Sequence, residues 1–257
     1  ASGGLAFNSY NCMPGWAAPG PLQRLLRDWS RQYSGKSTDR LQKAIESIKG
    51  FVETNPKFFQ ANSGLKERLE KLINQNPNYL VHEFLHDAWT VHWAADVIKE
   101  MQTEAKLDYL GQADPADAFP KLVLSKEAWT QVEQVSDIGF QEELKDTWQN
   151  RQFRKDLYCR GKVKLQGREQ LERLMDVTVV STLESMEDLD FEFKLPVGKV
   201  SPNIEMYQKF LKQVDKTPRT LMEIKQALDI QPVLVIEMAM VLIRVDWVHP
   251  VLPNNET

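Results

Sequence analysis

Residues 41–52, LQKAIESIKGFV, set Leu41, Ala44, Ile45, Ile48, Phe51 and Val52 at intervals of three and four. Only a period of 3.6 residues gathers those positions on one face, so the stretch predicts an amphipathic helix with its apolar stripe in a core. Asn55-Pro56 ends it, because proline has no amide hydrogen for a further turn. On the N-terminal side Leu22, Leu25, Leu26 and Trp29 keep the same period. On the C-terminal side Leu65, Leu69, Leu72 and Ile73 do so up to Asn76-Pro77, and Ala94, Val97, Ile98, Met101 and Ala105 follow. A long helix is expected from Phe140 to Tyr158. The fold class is therefore mainly α: a multi-helical domain over 17–158 with a small antiparallel β element and a C-terminal winged-helix-like domain.

The β element is expected within 159–202, where DVTVVST (176–182) is β-branched and DFEFKLPVGKV (190–200) alternates around a Pro-Val-Gly turn. A short extended run is also expected at Leu107–Leu110. Residues 1–16 differ from the rest: Gly3-Gly4 leads into Leu5, Ala6, Phe7 and Tyr10 and exits through Pro14-Gly15, as a strand of another domain would. In 203–257, Ile204, Tyr207, Leu211 and Val214 mark a helix, Thr220 with Glu223 forms a capping box for a second, and Pro232 opens an apolar third. A closing hairpin around Asp246-Trp247 completes the order of a winged helix.

The chain has 257 residues with 42% hydrophobic and 26% charged, a globular composition, and a net charge of −4 from 32 basic and 36 acidic side chains. That balance offers phosphate no general attraction, and the apolar third helix of the tail is no groove reader, so no nucleic acid is expected. The apolar run 233–245 is interrupted by Glu237 and Arg244 and falls short of a bilayer span, so no membrane insertion is expected. Two cysteines, Cys12 and Cys159, fit a reducing, cytoplasmic setting. The basic cluster Arg151, Arg154, Lys155, Arg160, Lys162 and Lys164 reads as a solvated helix end, and the acids Glu184, Glu187, Asp188, Asp190 and Glu192 as a solvated loop that would attract a Lys-rich partner.

His82-Glu83-Phe84-Leu85-His86 satisfies H-E-x-x-H, and His92 stands six residues further on. In a zinc protease the two histidines lie one helical turn apart and the glutamate activates the metal's water. Here Trp89 occupies the position of the glycine that would turn a third histidine back to the metal. The other reading is a helix whose His and Glu are surface groups, with a zinc-dependent hydrolase on His82, His86 and His92 as the enzyme alternative. Gly35-Lys36-Ser37 lacks the partner glycine of a phosphate loop, and no G-x-G-x-x-G occurs, so no cofactor is expected to be bound by this chain alone.

Four strings in order give a more specific reading: Asn8-Ser9-Tyr10-Asn11 with Pro14-Gly15-Trp16; Asn78-Tyr79-Leu80-Val81-His82-Glu83-Phe84-Leu85; Leu107-Asp108-Tyr109-Leu110-Gly111-Gln112-Ala113-Asp114; and Asn150-Arg151-Gln152-Phe153-Arg154-Lys155-Asp156-Leu157. Together they resemble the regulatory domain of bacterial S-adenosylmethionine-dependent methyltransferases related to protein-lysine methyltransferases. The resemblance implies that 1–16 is a remnant of a class I methyltransferase sheet. It implies S-adenosylmethionine as cofactor of the parent enzyme, an upstream methyltransferase domain and a polypeptide substrate as partners, and it allows a homodimer. The chain would be a non-catalytic regulatory and substrate-recognition module, with a free-standing interaction module as the alternative. Tyr10, Asn11 and Trp16 are then the residues expected near the cleft. Within the resemblance His86 departs from the family string, which makes the H-E-x-x-H match coincidental.

Overall fold

The computed structural model describes residues 3–187, 189–200 and 202–252. In chain order they form β1 (Leu5–Asn11), α1 (Gly20–Ser30), α2 (Ser37–Glu53), α3 (Lys57–Ala61), α4 (Leu65–Ile73), α5 (Pro77–Phe84), α6 (Ala94–Thr103) and β2 (Asp108–Gln112). A 3-10 turn (Pro115–Ala118) precedes α7 (Pro120–Val123), α8 (Lys126–Glu133), α9 (Ile138–Gln149), β3 (Phe153–Cys159), α10 (Gly167–Met175), β4 (Thr178–Ser181), β5 (Phe193–Leu195) and β6 (Gly198–Val200). The tail holds α11 (Ile204–Val214), β7 (Arg219–Thr220), α12 (Leu221–Leu228), α13 (Pro232–Arg244) and β8 (Val248–Val251). The expected class, mainly helical with small antiparallel sheets, is the one observed.

The chain divides into two compact units. A helical unit comprises Ser9–Val97 and Glu142–Arg154; a mixed unit comprises the described parts of Ala1–Asn8, Ile98–Gln141 and Lys155–Thr257. In the helical unit the stripes read from the sequence close on one another: Leu22 and Leu26 of α1, Leu41, Ala44, Ile45 and Ile48 of α2, and Leu65 and Leu69 of α4 are buried in one core with Leu80 and Phe84 of α5. Burial of each large side chain contributes roughly 1.5–3 kcal/mol. Asn76 caps α5 by accepting from the Asn78 amide at 2.9 Å, and Pro77 opens the helix.

In the mixed unit β3 lies between β1 and β2, and β2 pairs with β3 antiparallel, Asp108 opposite Cys159. The hairpin β5–β6 forms around Pro196-Val197 as expected, with Phe193 opposite Val200. A third sheet has the order β7-β4-β8. It packs with α11, α12 and α13 into a core that includes Phe193, Phe210, Leu211, Ile224 and Val248. Among the described residues no single helix is long and apolar enough to cross a membrane. The apolar run becomes α13, buried along Val235, Ile236 and Met238 to Leu242.

Four expectations are corrected. The helix expected to reach Tyr158 stops at Gln149; Asn150 turns left-handed at φ 48° and a strand follows. Its period of two was hidden because the inward positions are Arg154 and Asp156, both fully buried. The strand 178–181 does not join the 193–200 hairpin but pairs with β7 and β8. Residues 167–175, assigned to a β segment, form α10. The closing hairpin over 243–251 is absent, because α13 continues to Arg244 and β8 pairs with β4, Thr178 opposite Val251. In the acidic run Glu192 pairs with Lys199 at 2.5 Å, while Asp188 lies outside the described residues.

Candidate functional site

The helical unit carries a groove built around the loop that leaves β1. Three backbone bonds clamp that loop: Cys12 donates to the Gln152 carbonyl at 2.9 Å, Met13 to His92 at 3.0 Å and Gly15 to Arg151 at 3.0 Å. The approach at Gly15 is so close that a Cβ there would stand 2.5 Å from Gln152 Cγ and nearer still to the Arg151 carbonyl oxygen. Glycine is the only residue that fits.

The loop delivers Trp16 to the groove floor. Its indole Nε1 donates to the Gln152 carbonyl at 2.9 Å, and its ring meets those of Phe84 at 5.6 Å and Trp89 at 5.1 Å. Such tilted and edge-on aromatic pairs add to the burial energy. The groove has a volume of about 530 Å³, and Tyr10, Asn11, Tyr79, Glu83 and Phe153 line it with Trp16. Tyr79 and Phe153 are 55% and 49% exposed, so their rings are within reach of a macromolecule in solution. Asn11 holds its place by donating from Nδ2 to the Thr90 carbonyl at 3.4 Å, and Tyr10 sets its ring edge-on to His92 at 6.2 Å.

Arg68 of α4 also lines the groove, a residue the sequence reading did not select. Its guanidinium lies 5.2 Å over the Trp16 ring, and Nη2 donates to Gln152 Oε1 at 2.7 Å. Gln152 is fixed in turn by donating from Nε2 to the Gly15 carbonyl at 2.9 Å. Desolvation draws the Arg68 pKa below its usual value.

Behind the groove, Arg154 is 0% exposed and bonded through Nη1 to Asp146 Oδ2 at 2.7 Å and through Nη2 to Glu142 Oε2 at 2.8 Å. Arg151 Nε reaches Asp146 at 3.0 Å. Glu142 and Asp146 stand one turn apart on α9, so one face of that helix presents both carboxylates to the strand. Burial pushes the Asp146 carboxyl up to about 6 against the opposing pull of Arg154. At Glu142 burial is outweighed by Lys145 and Arg154, and the carboxyl is held below its usual value. Arg151 and Arg154 are thus interior ion-pair residues, a correction to their reading as a solvated helix end.

The three histidines do not assemble. Helix α5 ends at Phe84, so His86 lies beyond it instead of one turn above His82. His82 Nδ1 faces Glu83 Oε1 at 2.9 Å, His92 Nε2 meets Thr90 Oγ1 at 2.8 Å, and His86 lines the groove. Among the described residues no three His, Cys, Asp or Glu side chains gather as a metal site, and His82 and His86 do not share a helix face. Of the remaining motif residues, Asn8 lies in β1, and Pro14 turns the chain by accepting from the Ala17 amide at 2.8 Å. Tyr109 is buried in the mixed unit against Tyr158 at 5.5 Å.

Residues 76–160 match the family model described as predicted methyltransferase regulatory domain. Three of the four strings, those at 78–85, 107–114 and 150–157, fall inside the regulatory-domain segment; the fourth, with Tyr10 and Trp16, precedes it. The uncharacterized protein sll1526 of Synechocystis sp. is 34% identical over 224 residues, 87% of this chain and 44% of that protein. The uncharacterized protein RP789 of Rickettsia prowazekii is 26% identical over 176 residues, 64% of this chain and 30% of that protein. PKMT2 from Rickettsia typhi in complex with AdoHcy has the same fold over 97% of this chain, at a TM-score of 0.65 and 18% identity, and the match covers 52% of PKMT2. A second PKMT2 structure gives a TM-score of 0.63. The chain spans about half or less of the length of these relatives.

Proposed function

We propose that this chain is the accessory part of a class I S-adenosylmethionine-dependent methyltransferase, and that its groove receives the polypeptide whose lysine is methylated. The observation that carries the reading is the convergence of Tyr10, Asn11 and Trp16 with the exposed rings of Tyr79 and Phe153 in one groove. The regulatory-domain match and the fold shared with PKMT2, solved with AdoHcy, support it. So does the buried α13: a third helix enclosed in its own core is a packing element of a winged-helix-like tail, with no face for a DNA groove.

In this reading the cofactor is held outside this chain. The glycine after β1, Gly15, is closed by the chain's own backbone at Arg151, and no glycine-rich cradle follows a strand. The cofactor and the bond-making step accordingly belong to a catalytic domain joined upstream, of which we take β1 to be the final strand. The residues of this chain bind and orient. Methyl transfer needs the lysine amine held in line with the methyl group, and holding the polypeptide on both sides of that lysine supplies the alignment.

The test is steady-state kinetics of the full-length protein. Tyr10→Ala and Asn11→Ala are expected to raise KM for the polypeptide several-fold, with S-adenosylmethionine affinity unchanged. Unaltered kinetics for the polypeptide in both variants would refute the placement of the groove.

A further inference from the structure

The groove contains a guanidinium that, among the described residues, has no carboxylate in ion-pair contact. Among the described residues Arg68 has one hydrogen bond, from Nη2 to Gln152 Oε1 at 2.7 Å, and its Nε and Nη1 find no acceptor. The neighbouring acids turn to other partners: Glu67 pairs with Lys71 at 2.6 Å, and Glu83, which lines the same groove, sets Oε1 against His82 at 2.9 Å and makes no ion pair with Arg68. Arg24, Arg151 and Arg154, by contrast, each face a carboxylate. Nor is Arg68 a loose surface side chain. Leu65 and Leu69 of its own helix are anchored in the core, Gln152 orients one end of the fork, and the Trp16 ring lies 5.2 Å below.

A positioned and partly desolvated guanidinium beside aromatic walls has a specific complement: a planar carboxylate carried next to an apolar or aromatic group. We infer that Arg68 makes this groove a carboxylate-binding site, whose ligand is an acidic side chain of a polypeptide with an aromatic or apolar neighbour. The occupant in the cell rests on the reading of the groove as a polypeptide site; the carboxylate preference does not. Two consequences follow for recognition. Because Arg68 already covers the Trp16 face, the substrate lysine does not stack there. The feature the groove reads is an acid, so the methylated lysine is selected by an acidic neighbour in its sequence or fold.

The experiment uses the isotope-labelled chain and small probes. N-acetylphenylalanine, its C-terminal amide and inorganic phosphate are titrated in turn, following the Trp16 indole and Arg68 Nε signals by NMR. The acid is expected to bind roughly tenfold tighter than the amide, the effect of one charge-assisted hydrogen-bonded pair, and to shift both signals. Arg68→Gln brings the ratio near one, and Arg68→Lys retains part of the preference because it keeps the charge without the fork. Equal binding of acid and amide by the unaltered chain, or a preference that survives Arg68→Gln, overturns the inference. Phosphate binding tighter than the acid overturns the carboxylate assignment. A carboxylate preference alongside unchanged methylation kinetics in both Tyr10→Ala and Asn11→Ala would refute the proposed function and leave this site standing.

Discussion

Arg154 is the residue on which the helical unit's interior charge balance turns. Two carboxylates of α9, Glu142 and Asp146, are buried against its guanidinium, and neither reaches solvent to compensate if it is lost. Arg154→Met removes the cation the two carboxylates share, leaving Lys145 and Arg151 as their remaining partners, and is expected to cost about 3 kcal/mol in urea unfolding of this chain. A loss below about 1 kcal/mol would contradict that accounting. Gly15→Ala meets backbone at the Arg151 carbonyl and is expected to destabilise by about 1–3 kcal/mol in the same assay. Much of the groove was legible at this scale. Tyr10, Asn11 and Trp16 are near neighbours in sequence and belong to a distinctive string. Arg68 and Gln152 are 84 positions apart, and neither residue type signals a contact without the fold that joins them. Arg154 was misread for a related reason: a basic residue near other basic residues looks solvated until its partners, supplied by a helix eight or more positions earlier, are known.

At the scale of elements, strong apolar periods were read correctly and mixed ones were not. Stripes such as Leu41, Ala44, Ile45 and Ile48 predict helices because the core is their only destination. The strand β3 alternates inward Arg and Asp with outward Phe and Lys, reversing the usual polarity, so its period of two carries no hydrophobic signal. The Thr220–Glu223 box shows a local motif obeyed in full: Glu223 N donates to Thr220 Oγ1 at 3.2 Å, and Thr220 N donates to Glu223 Oε2 at 2.7 Å. Thr220→Ala is expected to cost about 1 kcal/mol. The backbone bond from Thr220 holds the Glu223 carboxyl below its usual value near 4.5. A carboxyl lowered in the folded state contributes stability above the unfolded pKa and loses it as pH falls through the folded one. The stability gap between the unaltered chain and Glu223→Gln should thus be present at pH 7 and close as pH falls below about 4.5. A gap that stays constant down to pH 3 would count against the box as an ionic device.

At the scale of the whole molecule, the chain spans about half or less of the length of its relatives, and its helical unit carries one groove lined by Tyr10, Asn11 and Trp16. The sequence conveyed the regulatory-domain likeness through the family strings, three of which lie in the matched residues 76–160. It did not convey the division into two units, because each unit is assembled from discontinuous segments and the boundaries fall inside β1, α6, α9 and β3. No composition shift or linker marks such a boundary, since the elements themselves run through it. The proposed division of labour puts substrate recognition in this chain and methyl transfer in a domain joined to it. Its most direct test is calorimetric titration of this chain alone with S-adenosylmethionine and, separately, with a lysine-bearing polypeptide that the full-length protein methylates. The account predicts heat from the polypeptide, weakened several-fold by Tyr10→Ala, and none from the cofactor; cofactor binding to this chain, or a polypeptide bound only by the upstream domain, would contradict it.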